Sequence, residues 1–173
     1  MVQRQRSKMR PDYRLRVLDR ADLPMLAGWL ATPDLQRWWG DPVEQLALVT
    51  EDIDAPLMDQ MLASMDGRPY GYLQSYPVHA WPAGAPHLAE FPDGARAVDC
   101  FIGVTDLIGR GHGSAMLRLY AHHLRALGAV DVVIDPDPEN QRAVRAYRRA
   151  GFRDVALRPD GAGEMTLVMR FAP

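Results

Sequence analysis

Apolar and polar residues alternate in YRLRVLD, residues 13–19, a period of two that predicts a β-strand. In DLPMLAGWLATPDLQRWWG the apolar residues recur at three and four instead, which predicts one or two short helices with Asp22 as N-cap. VEQLALVTEDI repeats the helical pattern. LMDQMLASMDGRPYGYLQSYP reads as two strands joined through Asp66-Gly67, a strong hairpin signal. Proline and glycine crowd residues 77–96, predicting a loop long enough to be functional or mobile. AVDCFIG (97–103) is a strand, and a helix follows over about 112–127, with Leu117, Tyr120, Leu124 and Leu127 as its buried face. VDVVID (130–135) is a short apolar strand. ENQRAVRAYRRAG is a helix ended by Gly151, and FRDVALRPDGAGEMTLVMRF closes the chain with two strands around a Pro-Asp-Gly turn. The order is that of one α+β domain over residues 13–173, with strand–helix crossovers in its second half and no internal repeat.

Composition narrows the class. The 173 residues suffice for one core, and 47% apolar with 24% charged is ordinary for a globular protein. No apolar stretch is long enough to span a bilayer, and MVQRQRSKMR lacks the apolar segment of a signal peptide, so no membrane role is expected. The single cysteine rules out an internal disulfide and fits a reducing, cytoplasmic setting. A net charge of −2 argues against nucleic acid as the main partner, and the basic residues of 1–12 read as a solvated, flexible tail.

Chemistry concentrates at two segments. IGRGHGSAML (108–117) places Gly109, Gly111 and Gly113 where a helix begins, and a helix start carries unpaired N–H groups and the positive end of the macrodipole. Bare backbone there suits a phosphate. The Gly-Lys-Ser/Thr of a Walker loop is absent, and the third glycine comes one step early for a dinucleotide fold. A tight strand–helix joint with no ligand would use the same glycines. Further on, Asn140, Ala143 and Tyr147 stand at i, i+3 and i+7 and share one helical face. They are either a cap with two core contacts or the wall of a ligand site.

Taken in order and spacing, GRGHGS and N-x-x-A-x-x-x-Y-x-x-x-G-F resemble the two cofactor segments of the GNAT superfamily of acyl-CoA-dependent N-acetyltransferases. WWG (38–40), DGRPYGYLQSY (66–76), AVD (97–99), DPDPEN (135–140) and RPDG (158–161) extend the resemblance to the aminoglycoside 6'-N-acetyltransferases within it. The resemblance implies a mixed central sheet, splayed to admit acyl-CoA, with helices on both faces. It implies acetyl-CoA bound by Phe101, Ile102, Gly103, Ile108, Gly109, Arg110, Gly111, His112, Gly113, Ser114, Asn140 and Ala143, with backbone N–H groups of Phe101–Gly103 at the thioester carbonyl. Ile108 departs from the Gln or Arg often found there, and His112 is expected to contribute its amide rather than its ring. Arg142 and Arg145 lie on a solvated face or near the phosphates.

For the reaction, the resemblance puts Tyr147 beside the CoA sulfur, where a phenol of pKa near ~10 can protonate a thiolate whose conjugate acid lies near ~8.5. It makes Asp99 the general base, directly or through water. Trp39, Gln74, Tyr76, Asp99, Asp135 and Asp160 hold a small-molecule amine, most simply the 6'-amine of an aminoglycoside attacking directly in a ternary complex. Ser75 and Trp81 are further candidates; of the adjacent Trp38 and Trp39, one is expected in the core. The loop before Asp99 carries only Glu90 and Asp93 as acids, which implies weaker attraction for a polycation. Two other readings share the cofactor segments: an acyltransferase on lysine or hydroxylysine amines of siderophore assembly, and a non-catalytic acyl-CoA sensor. Cys100, next to Asp99, turns to the opposite face and reads as a buried hydrophobe. The histidines show no metal spacing, so no metal is expected, and the chain is expected to be a monomer or homodimer.

Overall fold

In the computed structural model, which describes residues 11–172, strands β1 (Tyr13–Val17), β2 (Asp59–Met65), β3 (Arg68–Pro77), β4 (Arg96–Ile102), β5 (Val132–Ile134), β6 (Phe152–Pro159) and β7 (Met165–Phe171) form one sheet. Their order is β1-β2-β3-β4-β5-β7-β6. Every pairing is antiparallel except β4 with β5. Of the basic segment expected over residues 1–12, all but Pro11 and Asp12 lies outside the described residues. The expected hairpin is present: Met65 pairs with Arg68 across Asp66-Gly67.

Strand alternation sends two sets of apolar side chains to opposite faces. Tyr70, Leu73 and Val98 pack with Met116, Leu117, Tyr120 and Leu124 of α4 (His112–Ala126) and Val144 of α5 (Gln141–Ala150). On the other face Leu62, Tyr72 and Phe101 meet α1 (Leu23–Leu30), α2 (Pro33–Trp39) and α3 (Pro42–Asp52). A third cluster fills the long 77–96 loop, where Val78, Leu88 and Phe91 pack on Ala97, Val133 and Val168. That loop carries its own apolar anchors and lies down on the sheet.

Three local expectations are corrected. Leu127 lies beyond the last helical residue and is 71% exposed, so the buried face of α4 ends at Leu124. Asp22 stands at the N-cap position of α1 but makes no capping bond. Its carboxylate is held by Arg16, at 2.7 Å to each oxygen, and by the Asp19 amide. Ser75 turns into the core, where it accepts from the Tyr120 hydroxyl.

The feature that creates a site is the short reach of β5. It pairs with β4 only through Arg96↔Val132 and Ala97↔Val133, while β4 continues to Ile102 against β3 alone. Beyond Ala97 one edge of β4 is therefore open within the sheet. Among the described residues no helix is long and apolar enough to cross a membrane.

Candidate active site

The open edge of β4 presents backbone donors, and ladder parity says which. The Gly103 amide donates to Tyr70 O on β3 at 2.8 Å, whereas Arg96 N donates to Asp131 O on the β5 side at 2.9 Å. In an antiparallel ladder these directions alternate, so Phe101 shares the direction of Gly103, and Cys100 and Ile102 share that of Arg96. The donors facing the opening are thus Cys100 and Ile102. Of the three amides expected over Phe101–Gly103, only that of Ile102 faces it.

Gly103 is a glycine for a different reason. A Cβ there would lie 1.9 Å from the Trp29 ring, which also meets Phe101 edge-on at 6.3 Å. Gly103→Ala is expected to destabilise the fold by about 1–3 kcal/mol through overpacking. Thermal denaturation reads this, and Trp29→Leu in the same background should recover part of the loss.

Alongside the open edge stands the start of α4. Gly109 (φ 77°) and Gly111 (φ 90°) are left-handed, a conformation open to glycine at little cost. Gly111 is the N-cap residue, with no side-chain cap and no acidic residue in the first turn. Helical pairing begins only at Ala115 N to Gly111 O, 3.1 Å. The amides of His112, Gly113 and Ser114 are therefore left to an external acceptor, and the helix dipole makes an anion the favoured one. The His112 ring is turned away, with Nδ1 2.8 Å from the Tyr13 hydroxyl. Arg110 is exposed and outside the cavity.

Two cavities meet at this edge. The first, about 340 Å³, is lined by Phe101, Ile102, Ile108, Gly109, Gly111, Gly113 and Ser114, and by Arg142, Arg145 and Arg149 along α5. Arg142 also reaches Asp34 of α2 at 2.5 Å across it. The second, about 330 Å³, is lined by Gln45, Gln74, Asp99, Asp135 and Asp137, and by no Lys or Arg among the described residues. One is basic at its rim and the other acidic. Their common wall is Trp38, Trp39, Cys100, Asn140, Ala143 and Tyr147. Asn140 does both jobs open to it, accepting from Ala143 N at 3.2 Å as a helix cap while lining the wall.

Asp99 and Tyr147 reach this junction from opposite faces of β4. Gln74, directly across the ladder, donates to Asp99 Oδ2 at 2.9 Å and accepts from the Tyr72 hydroxyl at 2.8 Å. Burial first, then the nearby Asp135 charge, raises the Asp99 pKa to about 6; the Gln74 amide and Tyr76 hydroxyl pull the other way. On the other face the Cys100 thiol lies 3.8 Å from the Tyr147 hydroxyl. Burial pushes the thiol up to about 12 and holds the phenol well above its usual range, so both stay protonated at neutral pH. Cys100 does turn away from Asp99, but toward Tyr147 and the cavity rather than into closed core.

The remaining expected residues divide. Trp39 packs edge-on against Phe101 at 4.9 Å and still faces both cavities. Tyr76 lies beside Asp99 but lines neither cavity, and Trp81 meets its ring edge-on at 5.1 Å. Asp160 is outside both; its Oδ1 accepts from Ala162 N and Glu164 N within the β6–β7 turn. Asp135 is present, held by a residue the sequence did not single out: His87, whose Nε2 is 2.6 Å from Asp135 Oδ2. Among the described residues no cluster of three His, Cys, Asp or Glu is placed to hold a metal.

The acetyltransferase (GNAT) domain family matches residues 19–158. The chain is 30% identical over 160 residues to an aminoglycoside N(6')-acetyltransferase type 1 of Klebsiella pneumoniae, covering 85% of this chain and 78% of that protein. The Serratia marcescens enzyme of the same name gives the same values. Among solved structures, aminoglycoside acetyltransferase AAC(6')-Ib in complex with coenzyme A and kanamycin superimposes with a TM-score of 0.82 at 26% identity, over 92% of this chain and 94% of that one. The family match runs through both cofactor segments, the glycine-rich start of α4 and the Asn140–Phe152 stretch. The chain belongs to the GNAT acetyltransferases and, within them, to the family of the aminoglycoside N(6')-acetyltransferases.

Proposed function

We propose that this N-acetyltransferase moves the acetyl group of acetyl-CoA to the 6'-amine of an aminoglycoside by direct attack, with both substrates bound together. The observation that carries the reading is the pair of cavities sharing a wall at Cys100 and Tyr147. One is served by an uncapped helix start, the other by three carboxylates. The donor set fits coenzyme A: free amides at His112, Gly113 and Ser114 suit a pyrophosphate, and Arg142, Arg145 and Arg149 offer further cationic contacts. Bound acetyl-CoA supplies a thioester carbonyl and a thiolate leaving group.

The chain's own groups do the rest. The Cys100 and Ile102 amides provide donors of the kind that stabilise an oxyanion along the open edge. Asp99 attracts the acceptor ammonium, but attraction alone would keep the amine protonated. Its raised pKa answers this in part, because a carboxylate near 6 is a stronger base than one near 4 and is still ionised at neutral pH. Tyr147 keeps its phenolic proton available for the departing sulfur. Acid missing from the 77–96 loop is supplied by Asp135 and Asp137 of the β5–α5 turn, so the second cavity suits a multiply charged amine better than a single lysine-type one.

The test is incubation of the protein and acetyl-CoA with a panel of kanamycin-like amines, lysine and hydroxylysine, following thiol release and product mass. Acetylated aminoglycoside with matching thiol is expected. Turnover of the lysine-type amines alone would transfer the assignment to the siderophore reading, and coenzyme A binding without turnover of any amine would favour a sensor.

A further inference from the structure

The loop between β3 and β4 reaches Asp135, in the wall of the acidic cavity, through His87, a buried side chain on the short turn Pro86–Leu88. Its Nε2 faces Asp135 Oδ2 at 2.6 Å, and toward a carboxylate a ring nitrogen donates. The other nitrogen, Nδ1, is buried with no partner, so Asp135 is the ring's one polar contact among the described residues. An apolar side chain at this place would avoid an orphaned nitrogen. What the imidazole adds is its hold on Asp135.

Both ends of that hold are fixed from behind. The His87 carbonyl accepts from Arg158 of β6 at 3.1 Å, and the Asp135 carbonyl accepts from the Thr166 hydroxyl of β7 at 2.6 Å. With both backbones tied down, the Asp135 side-chain rotation is the remaining freedom, and the 2.6 Å contact removes it. The carboxylate is 18% exposed, and its Oδ1 takes no hydrogen bond from the described residues while the side chain lines the cavity.

We propose that His87 is a positioning residue that aims the Asp135 carboxylate at a second ammonium of the acceptor, and so sets a preference for multiply charged amines over monoamines. The proposal rests on the acceptor reading of the acidic cavity given above. Asp99 receives the reacting amine; Asp135, already oriented, receives the other without an ordering cost on binding.

The experiment compares wild type, His87→Ala, His87→Gln, Asp135→Asn and the His87→Ala/Asp135→Asn double variant. Kanamycin, with several ammonium groups, and glucosamine, with one, serve as acceptors, and a coenzyme A titration of each protein reports an intact fold. His87→Ala is expected to raise KM for kanamycin on the order of tenfold, leaving kcat, KM for acetyl-CoA and KM for glucosamine unchanged. His87→Gln, which keeps a donor amide, should recover part of the loss. In the Asp135→Asn background His87→Ala should add nothing. An equal effect on glucosamine, a shifted KM for acetyl-CoA, or additive losses in the double variant overturns the proposal. If wild type turns over no aminoglycoside, the proposed function falls, and calorimetric titration of kanamycin into the same proteins judges His87 alone. There, weaker binding by His87→Ala than by wild type supports it; equal affinity, or no uptake by wild type, overturns it.

Discussion

Asp99→Asn is expected to lower kcat/KM for acetyl transfer by about 10²- to 10⁴-fold at neutral pH, the range over which a positioned general base contributes. The substitution keeps the shape of the side chain and its contact with Gln74 while removing both the charge and the basic lone pair. Wild-type kcat/KM should fall below a pH of about 6, where Asp99 takes up its proton, and the variant should lack that limb. Stability moves the other way. The folded pKa of Asp99 lies above its ordinary 3.8, so the native state binds more protons than the unfolded chain between about 4 and 6. Its contribution is therefore fully present below 3.8, lost as pH rises through about 6, and absent at neutral pH. Asp99→Asn, which cannot ionise, should accordingly melt higher than wild type at pH 8. A pH series of melting curves and initial rates on the two proteins reads both effects, and equal rates at neutral pH would remove Asp99 from the chemistry.

Tyr147→Phe is expected to lower kcat by ~10²-fold, the loss of one proton donor, with coenzyme A affinity retained. The ring remains to pack between α5 and β4, so a folded protein with an unchanged coenzyme A titration is the internal control. Burial keeps the phenol protonated across the working range, so its removal should lower the whole pH profile without moving the Asp99 limb. Unchanged kcat would leave Tyr147 as a wall residue. Cys100→Ala supplies the contrast: its thiol is held protonated near a pKa of 12, and its loss should leave turnover largely intact.

Much of this was legible along the chain because it is local. The Asp66-Gly67 hairpin, the helical spacing of Leu117, Tyr120 and Leu124, and the glycines before α4 each need only a few neighbouring residues to declare themselves. The expected mixed sheet, with helices on both faces, is the one observed. What stayed hidden depends on partners far apart in sequence. Asp22 is lost as a cap because Arg16 takes its carboxylate. The need for a glycine at 103 comes from the Trp29 ring, far earlier in the chain, which stands where a Cβ would lie. Which amides of β4 face the opening follows from ladder parity against β3, and parity is set by register, not composition. The 77–96 segment reads only as a loop long enough to be functional or mobile; its apolar anchors fold it down and deliver His87 to Asp135. Asp160 shows the reverse, a carboxylate promising by resemblance whose Oδ1 is taken by amides of its own turn.

Direct transfer requires the two cavities to be filled together and to meet across the open edge of β4. Initial rates with acetyl-CoA and kanamycin varied against each other test this most directly. Intersecting double-reciprocal lines are expected, the mark of a complex holding both substrates. Parallel lines, the mark of an acetylated enzyme released from one substrate before the next arrives, would contradict it.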